Sequence, residues 1–252
     1  MELNILINRN KCIFTRINYN KFTLISIVAK SKNFLYTFYM SVRKIKKSYI
    51  SCTGYFSSYK KQQHIAYESV LERDFYMLLE FNKDVLSYHE QPFRIYYDLL
   101  GKQTRYTPDV LITYNDGSQK VFEIKYQKEI DTVEGLKEKL SLLESVIPEQ
   151  KSIPFEVFTD QGIERIYLDN AQFLYKYAFI EEDHTRTPKI REVINSSPHG
   201  VTVQNLLGKI SSLRTVHLHY IPYIWREVFH NIHLIDMNQK LTMSTLLQGE
   251  IS

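Results

Sequence analysis

The chain has 252 residues, 44% of them hydrophobic and 24% charged, with only 8 Gly, 7 Pro and 2 Cys. That supports a packed core of one large or two modest domains and excludes a disordered, collagen-like or linker-rich chain. Cys12 and Cys52 form no CxxC pair, so neither a disulfide framework nor a thiolate zinc site is indicated. The net charge of +4 is uneven, because residues 1–66 carry 12 Lys and Arg against the single acid Glu2, a local +11 that leaves −7 on the rest. A basic arm made of Arg43, Lys44, Lys46, Lys47, Lys60 and Lys61 would suit a polyanion, neutralising backbone phosphates without reading sequence. The bland alternative is a biased composition rich in Lys, Asn, Ile and in Tyr, of which there are 19.

Residues 1–39 have no clear period. Met40 opens a segment that reads as a start in its own right, so residues 1–39 are expected to be an upstream extension and 40–66 the basic arm. The apolar stretch Phe22 to Ala29 falls short of the roughly 20 residues that span a bilayer, lacks a small-residue cleavage site, and also fits a strand added to a sheet edge. The expectation is a soluble cytoplasmic protein without a membrane partner.

From Tyr67 the pattern sharpens. Apolar residues at 71, 75, 78 and 79 predict a helix, with acids in its first turns facing the positive end of the dipole. Extended segments follow at 85–88 and 93–97, a turn at Leu99 to Lys102, and β-rich runs at 110–114 and 120–126. Asn115-Asp116-Gly117-Ser118 between the last two is a hairpin signal. Residues 132–146 predict a helix stopped near Pro148, residues 155–158 a strand, and 169–177 a short helix. This order describes a mixed α/β domain over 67–178. The remaining residues, 179–252, predict helices at 189–196, 201–210 and 223–230 and a terminal hairpin around Asn238-Gln239, a small winged-helix-like domain.

The chemistry concentrates in Pro108-Asp109 and Glu123-Ile124-Lys125, with Glu72 on the preceding helix. Glu123 and Lys125 share one face of a strand. A two-residue turn at Asp116-Gly117 would place Asp109 opposite Ile124, on the wrong face. A three-residue loop with Gly117 in the left-handed position places it opposite Glu123 instead, and Gly in third place favours that register. Two or three carboxylates in a small site are hard oxygen ligands of the kind Mg²⁺ or Mn²⁺ prefers. Such an ion activates water and stabilises charge on a scissile phosphate, and Lys125 would position or help deprotonate that water. The competing reading makes Asp109 a turn residue and Glu123–Lys125 a solvated strand face.

The residues Glu68-Ser69-x-Leu71-Glu72-Arg73-Asp74-Phe75, Gln91-Pro92, Tyr106-Thr107-Pro108-Asp109, Phe122-Glu123-Ile124-Lys125, Thr159-Asp160 and Asn170 to Tyr177 occur in one order and spacing. Over residues 40 to about 178 the chain thereby resembles the TnsA endonuclease subunit of bacterial heteromeric transposases. The resemblance implies a restriction-endonuclease-like fold and a Mg²⁺-dependent DNA endonuclease, with Mn²⁺ as substitute, that cuts double-stranded DNA at the 5′ ends of a transposon. It also implies a partner transposase subunit cutting the 3′ ends and an ATPase regulator contacting the C-terminal region. The catalytic positions are Glu72, Asp109, Glu123 and Lys125, and the implied metal ligands are Glu72, Asp109, Glu123 and the Ile124 backbone carbonyl. Alternatives are another nuclease of this fold, a restriction or junction-resolving enzyme, or a non-catalytic adaptor of the transposition complex. His217, His219, His230 and His233 read as structural or surface histidines, and Trp225 as a core residue of the last helix.

Overall fold

The computed structural model describes residues 52–99 and 101–251 in full, preceded by the backbone of three strands. These are β1 (Cys12–Tyr19), β2 (Phe22–Ser31) and β3 (Phe34–Leu35), an antiparallel sheet in the order β1-β2-β3. The Phe22 to Ala29 run is therefore a strand, but one that pairs inside its own segment rather than at the edge of the central sheet. Arg43, Lys44, Lys46 and Lys47 lie outside the described residues.

The hairpin β4 (Gly54–Ser58) and β5 (Gln63–Tyr67) leads into helix α1 (Val70–Phe81). The helix starts where it does because Ser69 caps it, its hydroxyl accepting from the Glu72 N–H at 3.1 Å while itself donating to the Glu72 carboxylate at 3.1 Å. This resembles a capping box, except that the Glu72 carboxylate takes the backbone N–H of Glu68, one residue before the cap. Leu71, Phe75 and Leu79 are buried as the spacing predicts, but so are Asp74, Tyr76 and Glu80, because α1 is enclosed on several sides.

Strand β6 (Val85–Glu90) follows, then the hairpin β7 (Ile95–Leu99) and β8 (Lys102–Tyr106), whose turn places Gly101 at φ +75°. Strands β9 (Val110–Tyr114) and β10 (Gln119–Ile124) form the next hairpin. The helix expected over 132–146 forms as α3 (Leu136–Lys151), starting after Gly135 at φ +73°, and a short helix α2 (Gln127–Thr132) that was not expected precedes it. Helix α3 runs through Pro148 and ends three residues beyond it. Proline lacks the N–H and crowds the carbonyl four residues back, at Glu144, but its own carbonyl still accepts from Ser152 at 2.9 Å, and buried Ile147 packs the last turns into the core. Strand β11 (Phe155–Phe158) and helix α4 (Arg165–Tyr175) complete this part.

The central sheet is mixed, in the order β11-β10-β9-β6, with β10–β11 parallel and the other pairs antiparallel. One face carries Val110, Ile112, Phe122 and Ile124 toward α1, where Phe75 meets Phe122 at 5.3 Å between ring centroids. A second, smaller core joins Ile95, Tyr97 and Tyr106 of the β7–β8 hairpin to Leu143 and Ile147 of α3. A mixed sheet flanked by helices is the architecture expected for a restriction-endonuclease-like fold.

Glu80, only 7% exposed, ties the β4–β5 hairpin to this body. Its carboxylate accepts from the Ser58 hydroxyl (2.5 Å), the Tyr88 hydroxyl (2.6 Å) and the Lys60 N–H (2.9 Å). Three donors offset the cost of burying the charge.

The C-terminal residues fold as α5 (Arg186–Asn195), β12 (Val201–Thr202), α6 (Val203–Ile210), α7 (Arg214–His230) and β13 (Leu246–Leu247). Helix α7 begins nine residues before the predicted start and passes through Pro222. The expected hairpin around Asn238-Gln239 does not form, and β13 pairs with β12 instead. Asn170 of α4 occupies the backbone that a hairpin would have used: its side chain donates to the carbonyls of Met237 (2.9 Å) and Gln239 (2.8 Å) and accepts from the Leu241 N–H (3.1 Å). Trp225 is a core residue as expected, its ring 5.0 Å from Phe173. No helix among the described residues is long and apolar enough to cross a membrane.

Glu227 of α7 is fully buried between two guanidinium groups, Arg191 of α5 and its neighbour Arg226, each at 2.7 Å. Removing one partner of such a group strands the others in a poorly solvated place. Glu227→Ala is expected to destabilise the protein by about 3–5 kcal/mol, measured by urea denaturation, with Glu227→Gln losing less because it keeps an acceptor.

Candidate active site

The register of β9 against β10 places the first two functional groups. Tyr114 N–H bonds to the Ser118 carbonyl and Gly117 N–H to the Tyr114 carbonyl, which closes the three-residue loop Asn115-Asp116-Gly117 with Gly117 at φ +83°. Glycine reaches that left-handed conformation without steric cost. The pairs Thr113↔Gln119, Ile112↔Lys120, Leu111↔Val121 and Val110↔Phe122 follow, and the next step sets Asp109 across from Glu123. This is the register favoured from the sequence.

Asp109 stands just before β9 and its Oδ2 accepts from the Ile124 N–H at 2.8 Å. Glu123 is 5% exposed. The Lys125 ammonium meets both, 2.9 Å from Glu123 Oε1 and 3.7 Å from Asp109 Oδ2, and donates to the Ile124 carbonyl at 3.1 Å. Two carboxylates and one backbone carbonyl thus converge on a single cationic position. Burial, reinforced by Glu123, pushes the Asp109 carboxyl well above the usual carboxylate range, against the opposing pull of Lys125. Burial works against the charge on Lys125, but Asp109 and Glu123 outweigh it and hold the amine above its ordinary value. In this arrangement Lys125 keeps its proton and acts as a cation.

Glu72 is placed differently. Its oxygens accept from the Glu68 N–H (2.9 Å) and the Ser69 hydroxyl (3.1 Å), so the side chain closes the first turn of α1. Burial raises its pKa, partly offset by those bonds. It acts electrostatically on both Asp109 and Lys125, yet it does not join the oxygens around the ammonium. Among the described residues no three His, Cys, Asp or Glu side chains form a group able to hold a metal ion. The oxygen set that the structure assembles is Asp109, Glu123 and the Ile124 carbonyl, all hard donors that fit Mg²⁺ or Mn²⁺. Glu72 stands beside it.

Two participants carried no assigned role in the sequence. Gln91, 7% exposed and held at φ +45°, donates its N–H to the Asp109 carbonyl at 2.8 Å, and its side chain reaches Glu68 at 3.2 Å. It links the start of α1 to Asp109. The Tyr106 hydroxyl donates to Glu123 Oε2, and burial with the nearby carboxylates keeps that phenol protonated. Neither residue type announces such a role, and the only signal was that Gln91 belongs to Gln91-Pro92 and Tyr106 to Tyr106-Thr107-Pro108-Asp109.

Lys60 and Lys61, expected in a DNA-binding arm, are engaged in the fold. Lys60 Nζ donates to the carbonyls of Asn82 (2.6 Å) and Val85 (2.7 Å), while Lys61, with a side chain 7% exposed, pairs with Glu90 at 3.5 Å. Burial lowers the pKa of each amine. Charges committed to partners this way are less available to phosphate than free side chains would be. His217 and His233 bond to the backbone carbonyls of Ser211 and Glu250, and the His230 ring packs on Phe229 and Tyr59.

No curated protein matches the chain. Residues 82–160 match the family described as TnsA-like endonuclease, N terminal. The matched segment contains Asp109, Glu123, Ile124 and Lys125, whereas Glu72 precedes it and the C-terminal helices follow it. The sheet and the register that joins two carboxylates lie within the segment, residues 82–160, that is similar to TnsA-like endonucleases.

Proposed function

We propose that this protein is the metal-dependent DNA endonuclease subunit of a heteromeric transposase, hydrolysing phosphodiester bonds at the 5′ ends of its transposon. The observation that carries this reading is the convergence of Asp109, Glu123 and the Ile124 carbonyl on one cationic position within the TnsA-like segment. Asp109, Glu123 and the Ile124 carbonyl would hold Mg²⁺, with Mn²⁺ as substitute, and the bound ion would supply an activated water and charge stabilisation at phosphorus.

The chain's own groups divide the remaining work. The Ile124 N–H bonds the Asp109 carboxylate and so would help orient it. Lys125, protonated, would stabilise the negative charge developing on the scissile phosphate. Glu72 would add negative potential from the start of α1 and keep that helix end in place. A partner transposase would cut the 3′ ends. The three C-terminal helices, which we take as a winged-helix-like module, would receive the ATPase regulator. Arg43, Lys44, Lys46 and Lys47 would supply salt-sensitive contacts to DNA phosphates.

Asp109→Asn is expected to lower Mg²⁺-dependent nicking, assayed with the partner transposase, by at least about a hundredfold, on the scale of losing support for a metal site. Wild-type nicking by this variant would remove the assignment. Its stability should move the other way. A carboxyl whose folded pKa lies above its unfolded value stabilises the fold below the unfolded pKa and loses that contribution as pH rises through the folded pKa. In chelator near neutral pH the Asn variant should therefore melt at or above the wild type. That difference should close as pH falls below about 4, the ordinary aspartate value.

Lys125→Met is expected to cut poorly but to bind Mn²⁺ more tightly, by about tenfold or more. A unit charge about 4 Å away is worth about 1–4 kcal/mol between effective dielectric constants of 80 and 20. Calorimetric titration in the absence of DNA measures the gain. Weaker binding by the variant would mean that the ammonium does not compete for these oxygens.

Replacing Arg43, Lys44, Lys46 and Lys47 with Gln should flatten the dependence of log affinity for duplex DNA on log salt, by about 0.9 per lost phosphate contact. An unchanged slope, followed by fluorescence anisotropy, would assign the basic segment to biased composition.

A further inference from the structure

Outside the carboxylate pair and its lysine, one buried polar contact is directed at the site from the second core. Tyr106 ends β8, and its ring, 7% exposed, packs in that core with Ile95, Tyr97, Leu143 and Ile147. The ring is fixed from two sides. The β7–β8 ladder sets the backbone, with Tyr106 opposite Ile95. The Lys139 ammonium of α3 lies 5.4 Å from the ring centroid, an arrangement in which the cation attracts the electron-rich face.

The hydroxyl at the end of this fixed ring donates to Glu123 Oε2, while Glu123 Oε1 faces the Lys125 ammonium at 2.9 Å. The two oxygens of one carboxylate therefore have separate duties. Oε2 is held from the β7–β8 side, and Oε1 is presented where the Asp109 and Ile124 oxygens converge. Without the hydroxyl, the carboxylate could turn about its last torsion, which is broad and weakly restrained for a glutamate.

We infer that Tyr106 is a positioning residue that holds Glu123 in the orientation needed to bind a divalent cation, acting only through that carboxylate. This rests on the metal-dependent nuclease reading. It extends that reading to a group in a different core, supported by a hairpin and a helix that supply no ligand themselves. Partners of this kind orient ligands in metal sites, and losing one typically costs 10–100-fold in metal affinity or activity.

The test is Tyr106→Phe in the full chain, which keeps the ring, its packing and its contact with Lys139 and deletes one oxygen. Mn²⁺ affinity is measured by calorimetric titration without DNA, and the Mn²⁺ concentration for half-maximal nicking is measured with DNA. Both are expected to shift by about 10–100-fold toward weaker binding, with the maximal rate at saturating Mn²⁺ recovering to within a few-fold of wild type. A merely structural role would lower the melting temperature or the maximal rate without moving the metal requirement. In a Glu123→Ala background, Tyr106→Phe should have no further effect on Mn²⁺ affinity. Unchanged affinity in the single variant, or an undiminished additional loss in the Glu123→Ala background, overturns the inference and leaves the nuclease reading standing. Asp109→Ala separates the two claims: wild-type Mn²⁺ affinity in that variant removes the metal site itself, and this inference with it.

Discussion

The chemistry depends on the register of one β-hairpin. Side chains alternate along a strand, so a shift of one residue between β9 and β10 would send Asp109 and Glu123 to opposite faces. The loop prevents that shift because Asn115-Asp116-Gly117 is one residue longer than the tightest hairpin turn and ends on a residue with φ +83°. Asp116 reinforces it, accepting from both the N–H and the hydroxyl of Ser118. A surface turn at one end of the hairpin thus determines a carboxylate pair at the other.

That pair is electrostatically expensive. Two carboxylates brought together in a poorly solvated place raise the proton affinity of at least one of them, as Asp109 illustrates. Lys125 offsets part of the cost by standing 2.9 Å from one and 3.7 Å from the other. The Ile124 N–H and the Tyr106 hydroxyl contribute further, each bonding a different carboxylate. Every one of these groups lies on or beside β8, β9 or β10, so the site is carried by paired strands with little freedom to drift. Such preorganisation holds the two carboxylates and the ammonium in one fixed geometry.

The surrounding body uses the same device on a larger scale. Glu80 and Glu227 are buried acids far from one another in sequence, and each fastens separate elements by accepting several bonds. Glu80 ties the first fully described hairpin to α1 and β6. Glu227 ties α5 to α7 through Arg191, and Arg226 extends the link to the Ile180 carbonyl at 2.8 Å. One buried apolar cluster runs from Phe56 through Phe122 and Leu174 to Trp225 and Ile251, so the C-terminal helices share a core with the part that holds the sheet.

Local signals determined much of this protein. The apolar spacing of residues 71, 75 and 79, the Asn-Asp-Gly loop and the period-two spacing of Glu123 and Lys125 each act over a few residues and are legible in the amino-acid order alone. They suffice to place α1, the β9–β10 hairpin and the face shared by Asp109, Glu123 and Lys125. Tertiary structure decided whatever needed a distant partner. Helix α3 continues through Pro148 because buried Ile147 anchors its end, and the hairpin expected at Asn238 is absent because Asn170, some seventy residues away, takes its backbone groups. Lys60 and Lys61 are basic by composition, yet the carbonyls of Asn82 and Val85 and the Glu90 carboxylate claim them. Glu72 counts as a third acid in the sequence, but the helix start draws it toward Glu68 and Ser69. Tyr106 had no spacing rule to reveal it, since its bond to Glu123 exists only once the β7–β8 hairpin has packed on α3 and brought a hydroxyl to the far oxygen of a carboxylate. Short-range periodicity specifies which face a side chain occupies, while the groups it meets there are set by chain segments that no local pattern encodes.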